Sequence, residues 1–200
     1  MIGVIDYGAG NIRSVLNAVS AAGGKAELVS DASRISSYEK LILPGVGNFG
    51  KVAENLEKKG MDKAIKEFIA GEKPFLGICL GLQLLLEGSE ESKGSKGFGL
   101  FKGKNLRFAG ELKVPQIGWN QIEMQGKASR LFKGVKSGSF AYFVHSYYAK
   151  PEDETIVAAE TEYGIKYASA FEKGTVFATQ FHPEKSGEVG LRILKNFVEL

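Results

Sequence analysis

One cysteine and two histidines carry most of the reactive chemistry in these 200 residues. Cys79 lies in Lys73–Glu87, KPFLGICLGLQLLLE, between an apolar run, Phe75–Ile78, and a second one, Leu82–Leu86. Gly77-Ile78-Cys79-Leu80-Gly81 has the layout of the Gly-x-Ser-x-Gly nucleophile elbow, with sulfur in place of oxygen. The pattern predicts a strand, a sharp turn and a buried helix, with glycines where the two backbones crowd together. In that geometry the backbone N–H of Leu80 faces a developing oxyanion. The start of the helix favours negative charge on the sulfur. A cysteine taken alone is more often a small buried hydrophobe. It is the glycine pattern between strand and helix that raises the case for a nucleophile.

A thiol nucleophile needs a base. His182 closes an apolar run, Val176–Phe181, and Pro183 stops it. Glu184 stands two residues beyond, on the same side of an extended segment. A carboxylate there can hold one ring N–H and leave the other nitrogen for a thiol. Without the elbow, His-x-Glu would read as a surface turn. His145, in YFVHSYY, has aromatic flanks and no carboxylate nearby in sequence, so it reads as structural or partner-facing. One cysteine and two distant histidines give no metal-ligand spacing, and no metal or other cofactor is expected.

The elements that would position these groups follow from periodicity. Ile2–Asp6, Lys25–Ser30, Lys40–Leu43 and Phe75–Ile78 read as strands. Asn11 is placed to cap a helix to about Ala22, with Ile12, Val15, Leu16 and Val19 on one face. Val52–Leu56 and Met61–Ile69 are helical, with solvated faces rich in lysine and glutamate. Ser89–Gly97 is a Gly/Ser/Lys/Glu loop without visible chemistry. After it come short strand-like runs: Lys104–Phe108, Trp119–Met124, Phe140–His145, Ile156–Glu160, Lys166–Phe171 and Val176–Gln180. A helix, Gly187–Glu199, ends the chain. The order predicts one α/β domain over residues 1–200. It has a flavodoxin-like, open, twisted, mostly parallel sheet with helices on both faces, and a smaller, partly antiparallel sheet from the C-terminal half. The loop Pro44-Gly45-Val46-Gly47 falls at a strand's carboxyl end, where open α/β sheets place ligands.

Composition narrows the functional classes. A net charge of +3, with lysines and glutamates interspersed, gives no dedicated nucleic-acid surface. The opening MIGVIDYGAG has no basic n-region, and no apolar run approaches the length of a bilayer span. A single cysteine fits a reducing compartment, so a cytoplasmic protein is expected. Gly8-Ala9-Gly10 invites a dinucleotide reading, but Arg13 stands where the third glycine belongs, and no P-loop lysine follows.

A nucleophile elbow with its base about a hundred residues later resembles the class I (triad) glutamine amidotransferases. The resemblance spans essentially the whole chain. It is carried by DYGAGN (Asp6–Asn11), LPGVGNFG (Leu43–Gly50), GICLGLQLL (Gly77–Leu85), VPQIGWN (Val114–Asn120), YFVHSY (Tyr142–Tyr147) and QFHPEKS (Gln180–Ser186). Within that family, DYGAGN, PGVG and VPQIGWN are similar to the glutaminase subunits of imidazole glycerol phosphate synthases. The resemblance implies that Cys79 attacks the amide of L-glutamine, His182 moves the proton and Glu184 orients His182. It implies an oxyanion hole from backbone N–H groups of Leu80 and of Gly45, Val46 and Gly47. Gln83, His145 and Ser146 would bind the rest of the substrate. Ammonia would pass to a cyclase subunit, a (β/α)8 barrel forming a heterodimer with this chain, and Asn11, Trp119, Tyr142 and Lys185 match motifs at that interface. Two other readings remain open on sequence. One is a glutaminase serving pyridoxal phosphate, anthranilate or guanylate synthesis. The other is a non-enzymatic flavodoxin-like interaction domain with a buried or redox-sensing thiol.

Overall fold

The computed structural model describes residues 1–8, 11–110, 112–126 and 128–200. The Gly8-Ala9-Gly10 turn therefore falls partly outside the described residues. The first half contains β1 (Ile2–Ile5), α1 (Ile12–Ala21), β2 (Ala26–Val29), β3 (Lys40–Leu43), α2 (Phe49–Lys58), α3 (Met61–Ala70), β4 (Phe75–Ile78), α4 (Leu80–Gln83) and the two-residue β5 (Gly88–Ser89). The second half contains β6 (Gly103–Arg107), β7 (Gln116–Met124), β8 (Ser139–His145), β9 (Tyr147–Pro151), β10 (Val157–Tyr163), β11 (Ile165–Lys173), β12 (Val176–Thr179) and α5 (Gly187–Glu199).

The sheet runs β2-β1-β3-β4-β12-β11-β10-β7-β8. Its first five strands are parallel, in the flavodoxin-like order. The inner strands β1, β3, β4 and β12 are nearly continuous apolar runs because both of their faces are covered, whereas the edge strand β2 exposes Glu27 and Leu28. Leu41, Leu43 and Phe75 pack with Val52, Leu56, Met61, Ile65 and Phe68 of α2 and α3 on one face. Ile42, Leu76 and Ile78 pack with Val15, Val19, Ile193, Leu194 and Phe197 of α1 and α5 on the other. The antiparallel strands of the second half are hydrogen-bonded onto this sheet through the β12–β11 pair. The large sheet is therefore mixed and continuous, and β6 and β9 form a branch off β11.

Three local expectations are corrected. Asn11 occupies the N-cap position of α1, but its side chain caps no backbone N–H; its Oδ1 accepts from Ser14 Oγ at 2.7 Å. The apolar stretch after the elbow forms only a four-residue helix, α4. Beyond it, the carbonyls of Leu84, Leu85 and Leu86 accept from Phe98, Phe101 and Gly99 rather than from the next helical turn. Strand β9 is an addition, since it follows β8 with only Ser146 between and no turn signal separates them. Among the described residues, no helix is long and apolar enough to cross a membrane.

Candidate active site

Strands β4 and β12 are adjacent and parallel, with Ile78 opposite Thr179. Cys79 leaves one strand and His182 leaves the other at the same end of the sheet. That pairing brings together two residues about a hundred positions apart. The turn at Cys79 is sharp: φ is 53° and ψ is −102°, one of two positive φ values at non-glycine residues among those described. Such a backbone costs about 1–3 kcal/mol and persists only where its surroundings hold it. Here Cys79 N–H donates to Thr179 O at 2.7 Å. Gly81 lets the elbow seat against β3, because a Cβ at that position would lie 2.1 Å from Leu43 O.

His182 Nδ1 and Glu184 Oε1 are 2.8 Å apart, and both side chains are nearly inaccessible. Among the described residues, no nitrogen or oxygen partners His182 Nε2, and the Cys79 sulfur is the group that acts on it. Burial opposes a charge on this ring, but the Cys79 sulfur and the Glu184 carboxylate outweigh it and push its pKa up to about 10. The ring is thus held as an imidazolium beside the sulfur, ready to give a proton to a leaving amine.

Cys79 opens onto a cavity of about 280 Å³ lined also by Val46, Gly47, Leu80, Gln83, Glu91, His145 and Ser146. Gln83 Nε2 donates to Tyr147 O at 2.8 Å and to Gln180 Oε1 at 3.3 Å. Both amide hydrogens are spent, so Oε1 is what Gln83 offers to a ligand. His145 lines the same cavity, but its Nδ1 meets Tyr147 O at 2.9 Å and its Nε2 meets Tyr167 Oη at 3.2 Å. Burial lowers its pKa to about 4, so the ring is neutral. Its contribution to the pocket is a wall rather than a free nitrogen.

Of the expected oxyanion donors, Val46, Gly47 and Leu80 line the cavity, and the N–H groups of Leu80 and Val46 are already engaged. Leu80 N–H donates to Gly45 O at 3.4 Å, and Val46 N–H donates to Tyr7 Oη at 3.2 Å. The sequence reading aimed Leu80 N–H at the substrate; here a backbone carbonyl accepts it. The dipole of a one-turn helix is also too short for the role assigned to it.

Two residues were passed over. Gln180 is buried and its Nε2 lies 3.6 Å from Cys79 Sγ. Glu91 lines the cavity, and its Oε2 accepts from Phe49 N–H at 2.6 Å at the start of α2. The only signal for Glu91 was the acidic pair Glu90-Glu91 soon after the elbow. A larger hollow of about 680 Å³ lies between α2, α3 and residues 92–98, lined mostly by polar and oppositely charged surface side chains and away from Cys79 and His182. Among the described residues, no three potential metal ligands converge.

Asn11, Trp119, Tyr142 and Lys185 are partly or largely solvent-accessible. Trp119 is 56% exposed and meets Tyr142 edge-on at 6.1 Å, while Lys185 Nζ lies 5.8 Å from the centre of the Tyr142 ring. Ile117 (61% exposed) and Phe140 (53%) extend this apolar patch along β7 and β8. The patch is tied to the histidine turn, since His182 N–H donates to Tyr142 O at 2.9 Å and Ser186 Oγ accepts from Tyr142 N–H at 3.0 Å.

A strained cysteine at the carboxyl edge of a flavodoxin-like sheet, beside a charged histidine held by a glutamate, is suited to acyl transfer through sulfur. The chain belongs to the class-I glutamine amidotransferase family, whose description matches residues 3–200. It is 48% identical over 200 residues to "Imidazole glycerol phosphate synthase subunit HisH" of Methanocaldococcus jannaschii, covering 100% of both chains. The protein of the same description from Chlorobaculum tepidum is 49% identical over 201 residues, again with 100% of both covered. A solved glutamine amidotransferase superposes with a TM-score of 0.78 at 18% identity, covering 100% of this chain and 99% of that one. A structure of PurLQS from Thermotoga maritima gives 0.77 at 19% identity, with 99% and 97% covered. At those identities the two solved structures speak for the fold.

Proposed function

We propose that this chain is the glutaminase subunit of imidazole glycerol phosphate synthase, acting as one amidotransferase unit from end to end. The row Cys79–His182–Glu184 at the ends of two neighbouring strands supports the glutaminase half. Full-length relatives at 44–49% identity that carry that synthase's name support the choice of branch. Cys79 Sγ attacks the side-chain amide carbon of L-glutamine. As the C–N bond breaks, His182 protonates the amide nitrogen, which leaves as ammonia, and a γ-glutamyl thioester remains on Cys79. The neutral ring then takes a proton from water as the thioester hydrolyses to glutamate. Glu184 fixes the ring through Nδ1, and Gln180 steadies the sulfur. Glu91 and Gln83 Oε1 offer negative charge and an acceptor to the substrate's α-ammonium. His145 and Ser146 wall the remaining space.

Ammonia goes to a (β/α)8-barrel cyclase subunit, which uses it to make imidazole glycerol phosphate and the aminoimidazole carboxamide ribotide in histidine biosynthesis. The exposed strip Ile117–Trp119–Phe140–Tyr142, with Lys185 and Asn11, is the face proposed to meet that partner in a heterodimer, and the compartment is the cytoplasm. Exposed aromatic and apolar groups gathered in one strip are the kind of surface that interfaces enrich.

The test is to reconstitute the pair. Glutamine and the cyclase together should give glutamine-dependent cyclised product. The complex carrying Cys79→Ala should lose product from glutamine and keep it with ammonium salts. Undiminished glutamate release by the Cys79→Ala protein would end the reading.

A further inference from the structure

The Gly45–Val46 peptide is held at both ends. Its carbonyl accepts from Leu80 N–H at 3.4 Å, and its N–H donates to Tyr7 Oη at 3.2 Å. The two ends of a trans peptide point in opposite directions. While Val46 N–H rests on Tyr7, the Gly45 oxygen is necessarily turned toward Leu80. That oxygen occupies the Leu80 N–H, a donor that the proposed chemistry needs for an oxyanion, and its partial negative charge opposes the charge that would develop there.

The loop lies directly against the elbow, for a Cβ at residue 45 would sit 2.5 Å from Leu80 Cβ. Tyr7 is a firm anchor. It is 1% exposed and packed with Leu43, Phe49 and Leu80 in the core beneath the loop. Burial first, with the nearby Cys79 and Asp6 adding to it, pushes its pKa up to about 12, so the hydroxyl keeps its proton at working pH.

We propose that Tyr7 is a positioning residue for the oxyanion loop, its hydroxyl latching the Gly45–Val46 peptide in the orientation that blocks Leu80 N–H. The latch sets how slowly the isolated chain hydrolyses glutamine, and it rests on the glutaminase reading given above. Activation then requires the Val46 N–H to leave Tyr7.

Tyr7→Phe tests this, because it keeps the ring and removes only the oxygen. In the isolated chain it should raise kcat for glutamine hydrolysis by about 3- to 10-fold, the scale of one hydrogen bond, with KM little changed. With the cyclase bound, the variant should match the unmodified complex within about twofold, so the stimulation ratio falls by that same factor. Alkylation of Cys79 by iodoacetamide builds no oxyanion and should proceed equally in both proteins. In the unmodified chain, the Val46 amide should exchange with solvent faster once the cyclase binds, a measurement that needs no variant. A folded Tyr7→Phe protein with unchanged or lower basal kcat overturns the latch, as does an equal rise in alkylation or a Val46 amide that exchange leaves unaffected. If the unmodified complex itself fails to hydrolyse glutamine, it is the glutaminase reading that falls.

Discussion

The two histidines are pushed in opposite directions by their surroundings. Burial takes His145 down to about 4, and its neighbours take His182 up to about 10, from an ordinary 6.5. For His145 the unfolded chain binds the extra proton between those values. Its stabilising contribution is therefore present above pH 6.5 and lost as pH falls toward 4. For His182 the folded chain binds the extra proton, so the contribution is full below pH 6.5 and lost as pH rises toward 10. Thermal unfolding followed from pH 4 to 10 should show a maximum near neutrality. His145→Gln should flatten the acid limb and His182→Asn the alkaline one, whatever each costs in absolute stability. At the same scale, Cys79→Ala should lower glutamine hydrolysis by the cyclase complex at least about a thousandfold, and Glu184→Ala more mildly, by roughly 10- to 1000-fold. Steady-state glutamate release measures both.

At the scale of the elements, the elbow depends on a contact with β3. Gly81→Ala places a methyl 2.1 Å from Leu43 O, a backbone atom that cannot swing aside. The variant should lose stability by about 2 kcal/mol or more, read as a fall in the thermal midpoint, and lose glutamine hydrolysis with it. Most of the strands, and the glycine-flanked Cys79 and the His182-x-Glu184 pair, were legible in the sequence because they rest on local signals: apolar runs, glycine spacing, a proline stop; β9 was not, for no turn signal separates it from β8. What escaped is non-local. Leu84–Leu86 read as helix until residues 98–101 took their carbonyls. Glu91 was hidden in a polar loop that folds back on the start of α2. The occupied Leu80 and Val46 amides are a matter of backbone orientation, which side-chain identity does not encode. Asn11 sat at the cap position as expected, but Ser14 competed for its oxygen.

At the scale of the whole molecule, the apolar strip on β7 and β8 is the surface proposed to meet the partner. Ile117 and Trp119 face solvent, so replacing them disturbs little packing. Trp119→Ala should weaken cyclase binding by roughly 10- to 30-fold, since a buried aromatic anchor contributes about 2 kcal/mol at an interface. Titration calorimetry gives that number, and the thermal midpoint of the isolated chain should move by no more than a degree or so. Weaker stimulation of glutamine hydrolysis should follow the same affinity loss, because the strip is bonded through Tyr142 to the turn that carries His182.

Because β12 is the strand that inserts between β4 and β11, synthesis of the polypeptide has a built-in order of arming. A chain stopped before residue 176 would already carry its sulfur, yet β4 would lack its β12 neighbour and the His182–Glu184 pair would be missing. The pairing of sulfur with the His182 ring thus depends on residues 176–182, which follow both of β12's neighbours in the chain and close the gap between them.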